Sequence, residues 1–159
     1  MGDPGDGPLV ERSATLKFSS GVLWKRYGLR ATRQRRNLAK LLFGRGDRHL
    51  TAETLAFEAR VAHTQTSLAT VYNVLNVFAR VGLVRALSID RCPTFFDTNT
   101  TDHPHYYFED TKEIRDIGPD EIKLTDHIRT PEDYEVSRVN VVVTLRPKAP
   151  AAEGRQRTT

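Results

Sequence analysis

Cysteine is almost absent from this chain: Cys92 is the only one among its 159 residues. One cysteine excludes an intrachain disulfide and any zinc site built from several cysteines of the chain. No apolar run approaches the ~20 residues that a helix needs to span a bilayer. Residues 1–12 also lack the apolar core of a secretory signal. We therefore expect a cytoplasmic protein with no membrane partner.

Acidic side chains are scarce in the first part of the chain. Residues 1–100 contain 15 Lys and Arg against 8 Asp and Glu, a net charge of +7, whereas residues 101–159 carry −3. Residues 17–48 hold ten basic side chains against the single acid Asp47. A basic half of this kind fits DNA, whose phosphates dominate non-specific affinity. A solvated basic surface without function is the alternative.

Residues 66–84 carry a strong helical pattern. Leu68, Val71 and Leu75 recur at helical spacing, a hydroxyl residue (Thr66 or Ser67) can cap the start, and Gly82 can end the helix. The opposite face carries short polar groups and one aromatic ring: Ser67, Thr70, Tyr72 and Asn73. These side chains suit the major groove of DNA, although an ordinary amphipathic helix has the same pattern. We call this segment the reading helix.

The surrounding elements follow the order of a winged helix-turn-helix. Three helices are predicted before the reading helix: residues 16–27, a second capped by Thr32, and a third that opens at His49 with Thr51 as its cap. Residues 83–97 alternate as a hairpin. Arg30 precedes the second helix in a connection from which it could reach an A·T-rich minor groove. A phosphate contact or a solvated arginine is the alternative.

The second half predicts a small α/β unit. A polar hinge at 98–102 leads into strands at 103–108 and 113–117, a helix at 119–129 and a valine-rich strand at 135–146. We expect a disordered leader at 1–15, a DNA-binding domain at 16–97, a dimerisation domain at 103–146 and a disordered tail at 147–159. The fold class is α+β. Because the second domain is small for independent stability, we expect a homodimer.

The histidines suggest a ligand site. His103 and His105 are two apart in a predicted strand and share one face, and Asp97 lies six residues earlier. His49 lies in the basic domain. Such a pair beside a carboxylate fits a metal ion or haem, and it equally fits hydrogen-bonded surface histidines.

From about Gly28 to Leu145 the chain resembles the ferric uptake regulator family of metal-sensing repressors. The resemblance rests on residues 66–75 (TSLATVYNVL), on 28–32 (GLRAT) with Arg35, and on 49–53 (HLTAE). It implies a homodimer with an N-terminal winged helix and a C-terminal α/β dimerisation domain, bound to double-stranded DNA at an A·T-rich palindromic operator.

The resemblance also implies roles for individual residues. Arg30 is similar to the minor-groove residue of the family, and Ser67, Thr70 and Tyr72 to its groove-facing residues. With the polar face, the candidate DNA-binding set is Arg30, Arg35, Ser67, Thr70, Tyr72 and Asn73. The implied interdomain site for Fe, Mn or Zn consists of His49, Asp97, His103 and His105, with Asp97 in place of a more usual glutamate.

Two departures from the family qualify this picture. Phe108 and Thr111 stand where many members have the first of two CxxC pairs, so no structural four-cysteine zinc is expected. Lys123 and Val139 stand where a second regulatory site would have its ligands.

A pattern without the zinc cysteines and without the second regulatory site is similar to the iron-response-regulator branch. This resemblance implies haem bound through His103 and His105. Cys92, which precedes Pro93, is a further haem candidate, although a small residue before a turn-forming proline explains it as well. The leading hypothesis is a regulator of iron or haem homeostasis, controlled by haem or a divalent metal.

Two other function classes compete with this hypothesis. The first is a metal-independent winged-helix DNA-binding module whose histidines are incidental. The second is a metal-dependent enzyme that uses His103, His105 and Asp97. The absence of a Gly-rich loop or nucleophile motif, together with the reading helix, argues against the enzyme.

Overall fold

The computed structural model describes residues 21–118, 120–122, 129–137 and 139–148. The chain divides into two compact units, Met1–Thr100 and Thr101–Thr159, called here the N-terminal and C-terminal units. Among the described residues, no helix has the length and apolar character needed to cross a bilayer. The predicted hinge at 98–102 stays a prediction, as do the leader and the tail, which lie almost wholly outside the described residues.

Helices dominate the N-terminal unit. Its described elements are α1 (Gly21–Arg26), α2 (Arg33–Phe43), β1 (His49–Thr51), α3 (Ala52–Val61), α4 (Leu68–Arg80), β2 (Arg85–Leu87) and β3 (Phe95–Asp97). The cap oxygens of Thr32, Thr51 and Ser67 each accept a backbone N–H three residues on, at 3.2–3.3 Å. After α4, Gly82 has a φ of 77°, which favours glycine. The predicted reading helix is therefore α4, capped by Ser67 rather than Thr66.

One apolar core joins these helices. The α4 residues Val71, Val74, Leu75 and Phe78 are buried, as the spacing predicts. The Phe78 ring lies 6.2 Å from that of Trp24, measured between centroids. The core also contains Leu38, Leu42, Leu50, Leu55, Ala59 and Phe96. Leu68, which begins the same apolar face, is 43% exposed and lines a surface pocket together with Ala56 and Phe57 of α3.

A three-stranded antiparallel sheet accompanies the helices, in the order β1-β3-β2. The predicted hairpin is β2 and β3, which we call the wing. The expectation that His49 opens a helix was wrong, because His49 lies in β1 and pairs with Asp97 of β3. Leu50, buried opposite Phe96, anchors this short strand to the core. Three residues are too few to show the alternation that reveals a strand in sequence.

The C-terminal unit contains a second sheet, formed by β4 (His105–Phe108), β5 (Ile114–Asp116) and β6 (Val142–Leu145). Strand β4 lies in the centre, antiparallel to β5 and parallel to β6. His103 was expected in the first strand, but it precedes β4. Pro104 has no N–H to donate to a ladder, whereas the His105 N–H donates to the Val141 carbonyl at 2.9 Å.

Two further expectations concern this unit. The valine-rich strand predicted at 135–146 is shorter in the structure, where β6 covers only Val142–Leu145. The helix predicted at 119–129 falls mostly outside the described residues, which omit 119 and 123–128.

Candidate metal centre and nucleic-acid interface

Two imidazoles and a carboxylate converge in the C-terminal unit. Asp116 Oδ1 lies 3.1 Å from His103 Nε2 and 3.7 Å from His105 Nε2. The two imidazole rings are 4.4 Å apart between centroids. One possible ligand atom from each residue lies within 4.8 Å of the others. This is the spacing that three donors to a single ion require.

The backbone orients the His103 ring. Its Nδ1 lies 2.8 Å from the carbonyl oxygen of Thr101, which can only accept a hydrogen bond. Nδ1 therefore carries the proton and donates it, as in histidines whose other nitrogen binds a metal. The Nε2 atom then carries the lone pair of the ring and lies 3.1 Å from Asp116 Oδ1, a separation at which both atoms can bind one cation.

Sequence reasoning missed Asp116. In the structure this residue ends β5, and it pairs with His105 across the β4–β5 ladder. The sequence predicts a strand over 113–117, but the pattern alone does not set its register against β4. With that register, the carboxylate falls beside the predicted histidine pair.

The N-terminal unit brings together His49 and Asp97. They are direct partners on neighbouring strands, with His49 Nε2 3.6 Å from Asp97 Oδ1. Asp97 is fully buried, and its Oδ1 accepts the backbone N–H of Asn99 at 2.8 Å. This hydrogen bond holds the carboxylate in one orientation.

A hydrogen-bond network supports the strands that carry this pair. The Arg48 N–H donates to Thr98 Oγ1 at 2.9 Å, and the Thr98 N–H donates to the Arg48 carbonyl at 3.1 Å. The Arg48 guanidinium also reaches Glu58 of α3, with Nη1 donating to Oε2 at 3.1 Å. The ends of β1 and β3 are thereby tied to the helix that precedes the reading helix.

These clusters have the donor chemistry of a first-row divalent metal. Imidazole nitrogen with carboxylate oxygen suits Fe(II), Mn(II) and Zn(II). The structure pairs His103 and His105 with Asp116, and it pairs His49 with Asp97. That all the predicted donors hold one ion stays a prediction. Cys92 lies half-buried in the wing, where its N–H donates to the Ile89 carbonyl at 3.0 Å, and its role in haem binding also stays a prediction.

The start of α4 presents small polar groups. Ser67 is exposed, and its Oγ lies 2.9 Å from Thr70 Oγ1. Asn73 is exposed one turn further on. These three side chains are short, so a groove wall could approach the helix closely.

Arg30 and Arg35 have different surroundings. Arg30 is exposed in the connection between α1 and α2. Arg35 is half-buried, and its Nη1 donates to the Arg30 carbonyl at 2.9 Å, an oxygen that also accepts the N–H of Thr32. Arg35 therefore fixes the backbone from which the Arg30 side chain extends.

Tyr72 of the reading helix is bound to α3. Its hydroxyl donates to Glu53 Oε1 at 2.7 Å. This hydrogen bond is the main cause that lowers the pKa of Glu53 and raises the pKa of Tyr72, because it favours the ionised carboxylate and the neutral phenol together. The sequence gives no signal that connects Glu53 with Tyr72, because nineteen residues separate them along the chain.

The family model named ferric uptake regulator family matches residues 26–144. The chain belongs to this family. Its members are transcription regulators, so the enzyme hypothesis is rejected. The chain is 34% identical over 108 residues to the peroxide operon regulator of Bacillus subtilis, an alignment that covers 65% of this chain and 74% of that protein.

Solved structures of the family share the fold. A structure of the ferric uptake regulator from Pseudomonas aeruginosa with manganese is 26% identical, with a TM-score of 0.65, over 80% of this chain and 97% of that one. The ferric uptake regulator of Vibrio cholerae gives a TM-score of 0.69 at 23% identity, over 79% and 98%. The predicted family and the α+β fold class are confirmed. The closeness to the haem-responsive branch stays a prediction.

Proposed function

We propose that this protein is a DNA-binding transcriptional repressor whose affinity for its operator is controlled by a divalent metal ion. The observation that carries this proposal is the convergence of His103, His105 and Asp116 in a chain whose reading helix also has an exposed polar face. The net charge of +7 over residues 1–100 supports DNA as the partner.

The C-terminal cluster supplies the donors that we propose for the metal. His103 and His105 offer imidazole nitrogens and Asp116 a carboxylate oxygen, a set that fits Fe(II), Mn(II) or Zn(II). When bound, the ion supplies positive charge that holds these groups together. We propose His49 and Asp97 as further donors, because the family resemblance implies them and their atoms are already close to each other.

A divalent ion suits this cluster better than haem does. Haem iron commonly binds one or two protein side chains, whereas this cluster offers three close donors and one is an anionic carboxylate. Haem remains the competing effector. Hemin titration followed by absorbance, with wild type and with His103→Ala/His105→Ala, distinguishes the two, because haem bound through these residues gives a Soret shift that the double variant loses.

We also propose a homodimer on an A·T-rich palindromic operator in the cytoplasm. Two-fold symmetry places the reading helices of two copies on half-sites roughly 34 Å apart, one turn of DNA. The small C-terminal sheet is the candidate for the shared surface. Sedimentation of the full chain at micromolar concentration tests this, and a monomer would contradict it.

Selection from a library of DNA duplexes with a randomised centre tests the proposed function. Protein loaded with Mn(II) should enrich a two-fold symmetric A·T-rich site, and metal-free protein should enrich it far less. His103→Ala/His105→Ala should lose the difference between the two conditions. His63→Asn is the matched control, because His63 is an exposed histidine with a φ of 53° that asparagine accepts. Equal enrichment of all sequences would reject the proposal.

We propose hydrogen peroxide as a second signal that changes operator affinity. The similarity to the peroxide operon regulator of B. subtilis favours this proposal. Treatment of the Fe(II)-loaded and Mn(II)-loaded protein with hydrogen peroxide, followed by measurement of operator affinity, tests it. Cys92→Ser is the control, because this chain has one cysteine and a thiol-based response would disappear in that variant. A response that persists in Cys92→Ser and depends on the metal supports the proposal.

A further inference from the structure

Glu53 is an exposed acid on the helix that precedes the reading helix, in the half of the protein that carries a net charge of +7. An acid near a DNA surface opposes binding, because it repels phosphates. Its carboxylate nevertheless accepts a hydrogen bond of 2.7 Å from Tyr72, which belongs to the reading helix. As an acid in the first turn of α3, Glu53 suits the helix dipole, and its hydrogen bond gives it a second effect, on the reading helix.

The direction of this hydrogen bond limits what Tyr72 can offer to a base. A phenol has one O–H donor and two acceptor lone pairs. Because the proton points to Glu53, the outward side of the oxygen presents lone pairs alone. The ionised carboxylate is acceptor-only, so it cannot reverse the bond.

An acceptor-only phenol discriminates among base pairs. In the major groove, adenine N6 and cytosine N4 carry amino donors, while guanine presents only acceptors, N7 and O6. Thymine adds a methyl group that packs against an aromatic ring. An A·T pair therefore satisfies both the oxygen and the ring of Tyr72, whereas a guanine facing the oxygen places two acceptors against each other.

We propose that Glu53 is a specificity-determining residue. It fixes Tyr72 as a hydrogen-bond acceptor and thereby excludes guanine as the base that the Tyr72 hydroxyl contacts. The inference rests on the proposed DNA-binding function. Without Glu53, the hydroxyl rotates freely and donates to guanine O6 or N7. Glu53 thus lowers the affinity for DNA in general. It raises the ratio of the affinity for sites with the correct base to the affinity for sites with guanine in its place.

Base preferences from the randomised duplex library, measured with Mn(II)-loaded protein, test this proposal. Glu53→Ala should admit guanine at one position of each half-site, with a loss of discrimination of about tenfold, the size of one good base contact. Its affinity for unrelated duplex should rise. Asp47→Ala removes one exposed negative charge elsewhere in the unit and should raise non-specific affinity without changing the base preferences.

A second variant separates the hydrogen bond from the charge. Tyr72→Phe keeps the ring and removes the hydroxyl, so Glu53→Ala in that background should no longer change the preference at any position. If Glu53→Ala in the wild-type background leaves the base preferences unchanged, or relaxes them equally with Tyr72→Phe present, the inference is wrong. If wild type itself selects no sequence, the proposed function fails first. Circular dichroism of each variant confirms that it is folded.

Discussion

His105 lies directly opposite Asp116 in the β4–β5 ladder, and its Nε2 is 3.7 Å from the Asp116 carboxylate. His103, two residues before, lies closer still to the same oxygen, at 3.1 Å. The Asp116 carboxylate thus lies close to both imidazoles, and the pairing of β4 with β5 sets the distances between the three side chains.

Asp116→Ala should weaken binding of Mn(II) by about tenfold or more, the scale of losses measured around metal sites. The change removes the anionic donor and leaves both imidazoles in place. Competition against a chelating dye measures the affinity. Glu113→Ala is the control, since Glu113 lies just before the same strand and its carboxylate is paired with Arg115 on the surface. An equal loss in both variants would mean that Asp116 is no ligand.

Arg35→Ala should weaken binding to A·T-flanked operators more than to G·C-flanked ones, as Arg30→Ala should. Arg35 holds the Arg30 carbonyl, so its loss releases the backbone that carries Arg30, the residue that we propose for the minor groove. Fluorescence anisotropy on two operators that differ only in their flanks measures the ratio. A phosphate contact by Arg35 would instead lower both affinities uniformly and reduce the salt slope by about 1.

Glu58→Ala should lower the free energy of unfolding by about 2 kcal/mol, because it leaves the half-buried Arg48 guanidinium without its carboxylate partner. Urea unfolding of the metal-free protein measures this loss. The exposed Glu113→Ala should cost no more than about 1 kcal/mol, as surface pairs do. Similar losses in the free energy of unfolding from both substitutions would show that the Arg48–Glu58 pair contributes no more than a surface pair.

The hydrogen bond between Tyr72 and Glu53 should contribute to stability in a defined pH window. The lowered pKa of Glu53 means that its contribution is complete above the ordinary value of 4.5 and is lost as the pH falls through the lower folded-state pKa. The raised pKa of Tyr72 means that its contribution is complete below 10.0 and is lost as the pH rises beyond it.

Unfolding by urea at several pH values checks this window. The stability difference between wild type and Tyr72→Phe should be constant around neutral pH and shrink in acid. Tyr134→Phe, at a position 72% exposed, should show no such trend. A difference that grows in acid has the wrong sign and would contradict the assignment.

Local chemistry explains why much of the N-terminal unit could be predicted. The caps Thr32, Thr51 and Ser67 satisfy backbone N–H groups that a helix leaves open, so their effect is visible from sequence. Helical spacing similarly predicts that Val71 and Phe78 are buried. Leu68 shares this spacing but is 43% exposed, because spacing defines a face of the helix and not how completely that face is covered.

Contacts between distant segments explain most of what the sequence did not show. Asp116 meets His105 only through a strand register, and Glu53 meets Tyr72 only through the packing of α3 against α4. The short strand at His49 exists because Leu50 is buried and β3 lies beside it. Each depends on residues far apart along the chain, which no local pattern encodes.

We propose that a metal ion bound by His49, His103 and His105 controls operator affinity, and fluorescence anisotropy on the selected duplex measures this control. Mn(II) should raise the affinity of wild type by about tenfold or more, within the usual range of coupling between two sites. His103→Ala and His49→Ala should each lose this gain, and His63→Asn should keep it. A wild-type affinity that is the same with Mn(II) and with chelator would show that the metal does not control DNA binding.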